Sequence, residues 1–194
     1  MDINQLLDAL GSMFPLSTGF SITLPPLMHP QSGSHKQELL IPPNRATLAW
    51  SILEGIVIAV EPDQNGIEQV IRIYLPGSIF TDFRSFLNDK RSTIRLMVIG
   101  NTNLMFISRE DFKNHMEPFP ETHKLVEHIL FLEQELEAVR TRLMALTERE
   151  RIKEFARIYP MNKIPNVSAA SFLQMSEANY CREKARYNST NRDY

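Results

Sequence analysis

LVEHILFLEQELEAVRTRLMAL, residues 125–146, carries apolar side chains at Leu125, Ile129, Leu132, Leu136, Val139, Leu143 and Leu146. The steps between them alternate four and three without a break, and mostly Glu, Gln, His and Arg fill the gaps. Two apolar positions in seven make a narrow stripe. Such a stripe suits a seam in which each residue enters a hole on a partner helix. The spacing predicts one long helix that pairs two chains, with these seven residues as the dimer interface. The competing expectation is a long helix packed on its own domain. Phe131 stands off the seam and is expected to pack back on the preceding domain. Pro118 and Pro120 mark the helix start, and Glu121 lies in its first turn, where the helix dipole favours a carboxylate.

Upstream the texture is different. From about Leu39 to Ile107, short β-favouring runs alternate with turn signals. ATLAWSILEGIVIAV ends at EPDQNG, IEQVIRIYL ends at PGS, and STIRLMVI ends at GNTN before LMFISRE. Strands at this spacing predict a sandwich or barrel. Asn65-Gly66 predicts a hairpin turn. The expected unit is an antiparallel jelly roll, interrupted by a short helical piece at about 80–87. Before it, Ile3, Leu6, Leu7, Leu10 and Phe14 form a helical stripe over 3–14, and residues 15–35 read as an irregular connection.

Downstream, Thr147 with Glu150 three residues on is a capping-box pattern, so the long helix is expected to end near Leu146. An amphipathic helix follows through Ile152, Phe155, Ala156 and Tyr159 and stops at Pro160. The next stretch, NVSAASFLQMSEANYCREKARYN (166–188), has the rhythm of a helix-turn-helix. Its first helix is expected at Val167–Leu173, its turn at Gln174–Met175 and its recognition helix from Ser176, the N-cap, to Tyr187. Ala170 is small where the helices approach, and Phe172, Leu173, Met175 and Tyr180 supply a small core. In that geometry Glu177, Ala178 and Arg182 face base edges, Asn179 reaches an adenine or a phosphate, and Lys184 and Arg186 meet phosphates.

The chain has 194 residues, enough for one large domain or two small ones. Its net charge of −2 excludes a global polycation. From Arg149 onward, however, nine Lys/Arg face five Asp/Glu, a basic tail on an acidic body. A single cysteine, Cys181, excludes an intramolecular disulfide and an iron–sulfur cluster, and fits a reducing cytoplasm. Asp2 and the lack of a basic N-terminal run argue against a signal peptide, and no run of 18 apolar residues predicts a membrane span. An enzyme is not expected: no P-loop, HExxH or Ser–His–Asp order appears. No histidine lies between His35 and His115, which removes the ligand set of a metal-dependent barrel enzyme.

A jelly roll, a dimerisation helix and a C-terminal helix-turn-helix, in that order, resemble the Crp/Fnr transcription regulators, and more closely the divergent branch common in Bacteroidetes. SILEGIVIAV resembles the family's strand–Glu-Gly–strand segment. NGIEQVIRIYLPGSIFTDFRSFL resembles its turn, strand and effector loop, and LMFISREDF its last barrel strand. The match runs over roughly residues 36–188. It implies an α+β chain with a cyclic nucleotide-binding-like jelly roll at 1–117, a dimerisation helix at 118–146 and a DNA-binding domain at 147–194. Arg182 aligns with a DNA-contacting arginine of the family. Gln174 stands where a turn glycine is common, Glu183 stands where a buried aliphatic is usual, and only seven residues follow Tyr187, too few for a β-wing.

In cyclic nucleotide-binding relatives a carboxylate takes the ribose hydroxyl and an Arg-Ser pair takes the phosphate. Here Asp82 falls where that carboxylate would be, and Arg91-Ser92 falls one residue short of the usual spacing. The competing expectation is that Asp82 caps the short helix and Arg91 is a surface arginine. No cofactor and no metal are expected, with a cyclic nucleotide as the weaker alternative. Haem held by His115, His123 or His128 is not expected. The resemblance implies DNA and a second copy of the chain as partners, allows RNA polymerase and an unidentified small-molecule effector, and involves no membrane. The alternative is a dimeric ligand-binding or protein-interaction module whose degenerate helix-turn-helix does not bind DNA.

Overall fold

The computed structural model describes residues 3–190. Residues 1–2 and 191–194, and with them Asp2 and the outer limits of the expected 1–117 and 147–194 domains, lie outside the described residues. The fold is α+β. Its strands are β1 (His29–Gly33), β2 (Glu38–Leu40), β3 (Leu48–Pro62), β4 (Glu68–Tyr74), β5 (Ile79–Phe80) and β6 (Arg95–Ser108). They form one antiparallel sheet in the order β1-β6-β3-β4, with β2 also on β6 and β5 also on β3. The chain divides into two compact units. One holds the residues up to Ala59 together with Ile73–Glu133; the other holds Val60–Arg72 and the chain from Gln134 onward.

In the first unit the helices are α1 (Ile3–Met13), α2 (Thr18–Thr23), α3 (Phe83–Asn88), α4 (Arg109–Asp111) and the first part of α5 (Pro120–Met144). Leu6 and Leu10 of α1, Phe20 and Leu24, Ile107, Met116 and Leu125 make one buried cluster. A second aromatic group stacks on the sheet. Trp50 lies over Phe80 at 5.7 Å between ring centroids, and Phe80 over Tyr74 at 5.0 Å. The Trp50 indole N–H donates to Gln31 Oε1 at 2.9 Å, so this amphipathic ring is buried without leaving its donor unpaired.

Residues 15–35, expected to be irregular, are ordered as α2, a 3-10 turn at Pro25–Leu27 and strand β1. Short-range chemistry explains the helix: the Phe20 N–H donates to Ser17 Oγ, and the Phe20 ring is buried. The two runs expected on either side of GNTN are one 14-residue strand, β6, which passes Gly100 at φ +71°. β3 likewise runs through Glu54-Gly55 without a break. Gly55 has φ +97°, and a Cβ there would stand 2.3 Å from Thr102 Oγ1, so this crossing of β3 and β6 requires glycine.

In the second unit the β3–β4 hairpin closes where Asn65-Gly66 predicts. Asp63 N–H donates to Ile67 O at 2.8 Å, and Asp63 Oδ1 accepts from the Asn65 and Ile67 amides, each at 2.8 Å.

The helix α5 is 25 residues long and ends at Met144, near Leu146 as expected. Leu146, the last seam position, stands in the turn beyond it. The seam is also divided in its packing. Leu125, Ile129 and Leu143 are buried by their own chain at 4%, 8% and 2% exposure, and Leu125 belongs to the first unit's core. These three are therefore not free to enter a partner's holes, and the expected interface contracts by their loss. Leu132 is 41% exposed, and Leu136 and Val139 are half-buried. Phe131 does not pack back on its own domain: it is 55% exposed, beside Leu132.

Candidate nucleic-acid interface

Three helices build the C-terminal part of the second unit: α6 (Glu148–Ile158), α7 (Asn166–Phe172) and α8 (Glu177–Thr190). Thr147 caps α6 in a complete capping box. Its N–H donates to Glu150 Oε2 at 3.2 Å, and Glu150 N–H donates to Thr147 Oγ1 at 3.5 Å. The Thr147 hydrogen bonds hold the Glu150 carboxyl below its usual range. From α6, Phe155 and Tyr159 meet Phe172 of α7, with ring centroids 5.9 and 5.4 Å away. The Arg140 guanidinium covers the Phe172 ring at 5.8 Å. Burial pushes the phenols of Tyr159 and Tyr180 up to about 12, so both stay neutral at any physiological pH.

The turn between α7 and α8 is that of a helix-turn-helix. Met175 N–H donates back to Ala170 O at 2.9 Å and Gln174 N–H to Ser171 O at 3.1 Å. Gln174 has φ +52°, the left-handed conformation that glycine adopts most readily. Holding a non-glycine residue there costs about 1 kcal/mol. Gln174→Gly is expected to raise stability by about 0.5 kcal/mol, because relief of this strain outweighs the extra freedom of the unfolded chain. Denaturant titration checks this as a higher midpoint with unchanged slope. Ser176 caps α8, its Oγ accepting from Asn179 N–H at 3.2 Å.

On α8 the structure separates residues that the sequence grouped. Ala178, Arg182 and Ala185 are exposed and share one face by their i, i+4, i+7 spacing. Ser176, Glu177 and Arg186 are exposed near them, and Asn179 is half-buried. The Arg182 guanidinium donates to Asn179 Oδ1 at 2.8 Å, which holds the side chain at the solvent face. Asn179 in turn donates to Glu148 Oε1 at 3.3 Å.

Lys184, grouped above with the phosphate contacts, is corrected. Its ammonium donates to Met161 O at 3.2 Å and Asn166 Oδ1 at 3.0 Å, and it lies 5.7 Å from the Tyr180 ring centre. It fastens α8 to the loop before α7 instead of pointing outward. Glu183, placed where an aliphatic is usual, is buried at 7% exposure, and its carboxylate accepts from Arg186 Nη1 at 2.6 Å. A buried carboxylate needs such a partner, so Arg186 serves the motif as well as its surface.

Arg151 carries no sequence signal for what it does. Its guanidinium donates to Leu173 O at 2.7 Å, Met144 O at 3.1 Å and Leu146 O at 3.0 Å, closing the C-terminal ends of α5 and α7. Ser171 Oγ accepts from Val70 N–H at 2.9 Å, tying the hairpin to α7.

No family model matches the sequence, and no curated protein matches it. Solved structures do. FixK2 from Bradyrhizobium japonicum is similar with a TM-score of 0.73 at 12% identity, over 84% of this chain and 86% of that one. The c-di-GMP responsive global regulator CLP from Xanthomonas campestris gives 0.64 at 14% identity, over 90% and 93%. The catabolite activator protein from Thermus thermophilus gives 0.55 at 14% identity, over 94% and 88%. The fold is the Crp/Fnr fold. At such identities the likeness concerns backbone architecture, and what this chain binds has to be argued from its own residues.

The residues expected to hold an effector lie at the start of α3 and just beyond its end. Asp82 caps α3, its Oδ1 accepting from Ser85 N–H at 3.0 Å. Ser92 is buried, with its hydroxyl donating to Ile94 O at 2.9 Å and accepting from Ile94 N–H at 3.1 Å. Arg91 is exposed, on a backbone bridge to Arg45. Beside them Asp89, the C-cap of α3, binds the Arg109 guanidinium and lies 3.3 Å from Arg45. The Arg109 hydrogen bond, with the charges of Arg109 and Arg45, holds its carboxyl below the usual range. Two of the three expected effector groups thus have local partners, and this pattern matches the competing expectation of a helix cap and a surface arginine. Among the described residues no helix is long and apolar enough to cross a membrane.

Proposed function

We propose that this chain is a dimeric, sequence-specific DNA-binding transcriptional regulator of the divergent Crp/Fnr branch, working in the cytoplasm. Residues 1–117 form its sensor domain, 118–146 its dimerisation helix and 147–194 its DNA-binding domain. The observation that carries the reading is the intact helix-turn-helix. Its turn keeps the left-handed residue, its second helix keeps its cap, and Arg182 stands exposed on that helix with small Ala178 and Ala185 on the same face. A recognition helix enters the major groove with such a face, and an arginine there reads a guanine through two parallel hydrogen bonds. Ser176, Glu177, Ala178 and Asn179 complete the groove-facing surface, and Arg186 is the phosphate contact. The alternative, an interaction module with a degenerate motif, draws no support from this geometry.

Dimerisation through α5 rests on Phe131, Leu132, Leu136 and Val139, four apolar side chains that its own chain leaves partly uncovered. The partners are DNA and a second copy of the chain. RNA polymerase and a small-molecule effector complete the regulator's working set, and no cofactor or catalytic step is required. Arg182→Ala is expected to weaken binding to a cognate fragment roughly tenfold to a hundredfold while hardly changing binding to unrelated DNA. Fluorescence anisotropy on both fragments measures this. Equal losses on the two fragments would reduce Arg182 to a phosphate contact.

A further inference from the structure

Arg140 of α5 belongs to the second unit, with Arg72, Glu137 and Phe172. Its guanidinium covers the Phe172 ring but makes no hydrogen bond and no ion pair among the described residues. Nε and Nη2 are closed off by the chain; Nη1 is not. The nearest acidic residue along the helix, Glu137, is held by Arg72. Burial pushes the Arg140 pKa below its usual value; the Glu137 charge offsets part of this, and the like charge of Arg72 adds to it. A half-buried cation in that position lacks a carboxylate of its own.

Glu135 is the complementary group. It is exposed, and it too has no hydrogen bond or ion pair among the described residues. It cannot serve the Arg140 of its own chain. Five residues turn an α-helix by about 500°, which leaves the two side chains about 140° apart. They stand on opposite flanks of half-buried Leu136 and Val139. In the heptad, Leu136 is a and Val139 is d, so Glu135 is the g position before them and Arg140 the e position after them. Where two such helices run parallel and in register, g of one lies beside the following e of the other. Opposite charges at those positions set partner and orientation.

We propose that α5 pairs with α5 of a second copy of this chain, parallel and in register, and that the partner subunit's Glu135 binds Arg140 through Nη1. Two-fold symmetry makes the contact twice. The proposal rests on the dimer reading above and adds to it an orientation, a register and an ionic contact. Its effect reaches the nucleic-acid interface. Arg140 covers Phe172, the last residue of α7, so a carboxylate from one subunit steadies the helix-turn-helix core of the other.

The test is sedimentation of the purified full chain at low salt, without DNA. Glu135→Lys is expected to raise the dimer dissociation constant at least about tenfold, because attraction becomes repulsion at two places. Glu127→Lys makes the same charge change at an exposed position away from the seam and is expected to shift it less than about twofold. Arg140→Glu is expected to weaken the dimer as Glu135→Lys does. Mixed one to one, these two variants are expected to form a heterodimer tighter than either parent, since both contacts then join opposite charges. Orientation is read by disulfide crosslinking in a Cys181→Ser background. Leu132→Cys and Val139→Cys, each alone, are expected to join two chains, whereas an antiparallel pair brings at most one of these positions opposite its own copy. A dimer indifferent to Glu135→Lys, a mixture no tighter than its parents, or crosslinking at only one of the two positions would overturn the proposal. If Arg140→Glu does not fold, Glu135→Lys and the two cysteine variants decide alone. A wild-type monomer would remove the dimer reading and this contact with it; a wild-type dimer that ignores Glu135→Lys removes this contact alone.

Discussion

Leu136→Asp is expected to convert a dimer into a monomer of 22.4 kDa. Leu136 is half-buried on α5 and stands between Leu132, 41% exposed, and half-buried Val139. The three follow the four-three rhythm that lets two helices interlock. Burying a leucine side chain is worth about 1.5–3 kcal/mol, and a two-fold interface contains the residue twice. Losing both and placing two carboxylates across the seam raises the dissociation constant by more than about a hundredfold. Light scattering or sedimentation at micromolar concentration reads the outcome directly. Leu125→Asp would be a poor substitute, because Leu125 belongs to the first unit's core and its loss would unfold the chain before testing the seam. A Leu136→Asp protein that keeps twice the chain mass would show that the pairing surface lies elsewhere.

Phe172→Ala is expected to have the largest effect on stability. Phe172 is 1% exposed, touches the rings of Phe155 and Tyr159, and lies under Arg140. Truncating a buried phenylalanine costs about 3–5 kcal/mol, against a total of about 5–15 kcal/mol for a whole domain. The chain has one tryptophan, Trp50, in the first unit, so its fluorescence reports on that unit, whereas far-UV circular dichroism is dominated by helices. The part of the helical signal contributed by the second unit is expected to melt at least about 12 °C lower, separating from the part contributed by the first unit's helices, while the Trp50 transition moves little. Equal shifts in both signals would mean that the two units unfold together.

The sequence announced the elements whose signals are local. The Thr147–Glu150 capping box, the Asn65-Gly66 turn and the Ser176 cap each depend on residues within four positions of one another, and each is present. The left-handed residue at Gln174 was foreseen from its place in the motif even though its type argues against it. Partner choice was not legible. A heptad stripe says that a face is apolar but not what covers it, so Leu125, Ile129 and Leu143 turn out to be buried by their own chain. Lys184 looked like a phosphate contact because a basic residue on a basic helix carries no mark of direction; its true partners, Met161 O and Asn166 Oδ1, are 23 and 18 residues away. Arg151 left no trace in the pattern for the same reason: its role follows from groups brought near only by folding.

The residues 15–35 show a different limit. Pro, Ser, Gly and His signalled a loop, but Ser17 also caps a helix and Phe20 anchors it in the core. Tertiary burial overrode local propensity there. At the expected effector positions the two readings diverged on one question, whether Asp82 faces a ligand or its own helix. The hydrogen bond from Ser85 N–H shows Asp82 Oδ1 capping the helix.

The most direct test of DNA recognition is a selection of genome fragments by the purified wild-type protein at low and moderate salt. Enrichment of one two-fold-symmetric site, with half-sites about one helical turn, or 34 Å, apart and retained at moderate salt, is the predicted result. Fragments bound without a common motif and released as salt rises would contradict it, because that behaviour needs only phosphate charge.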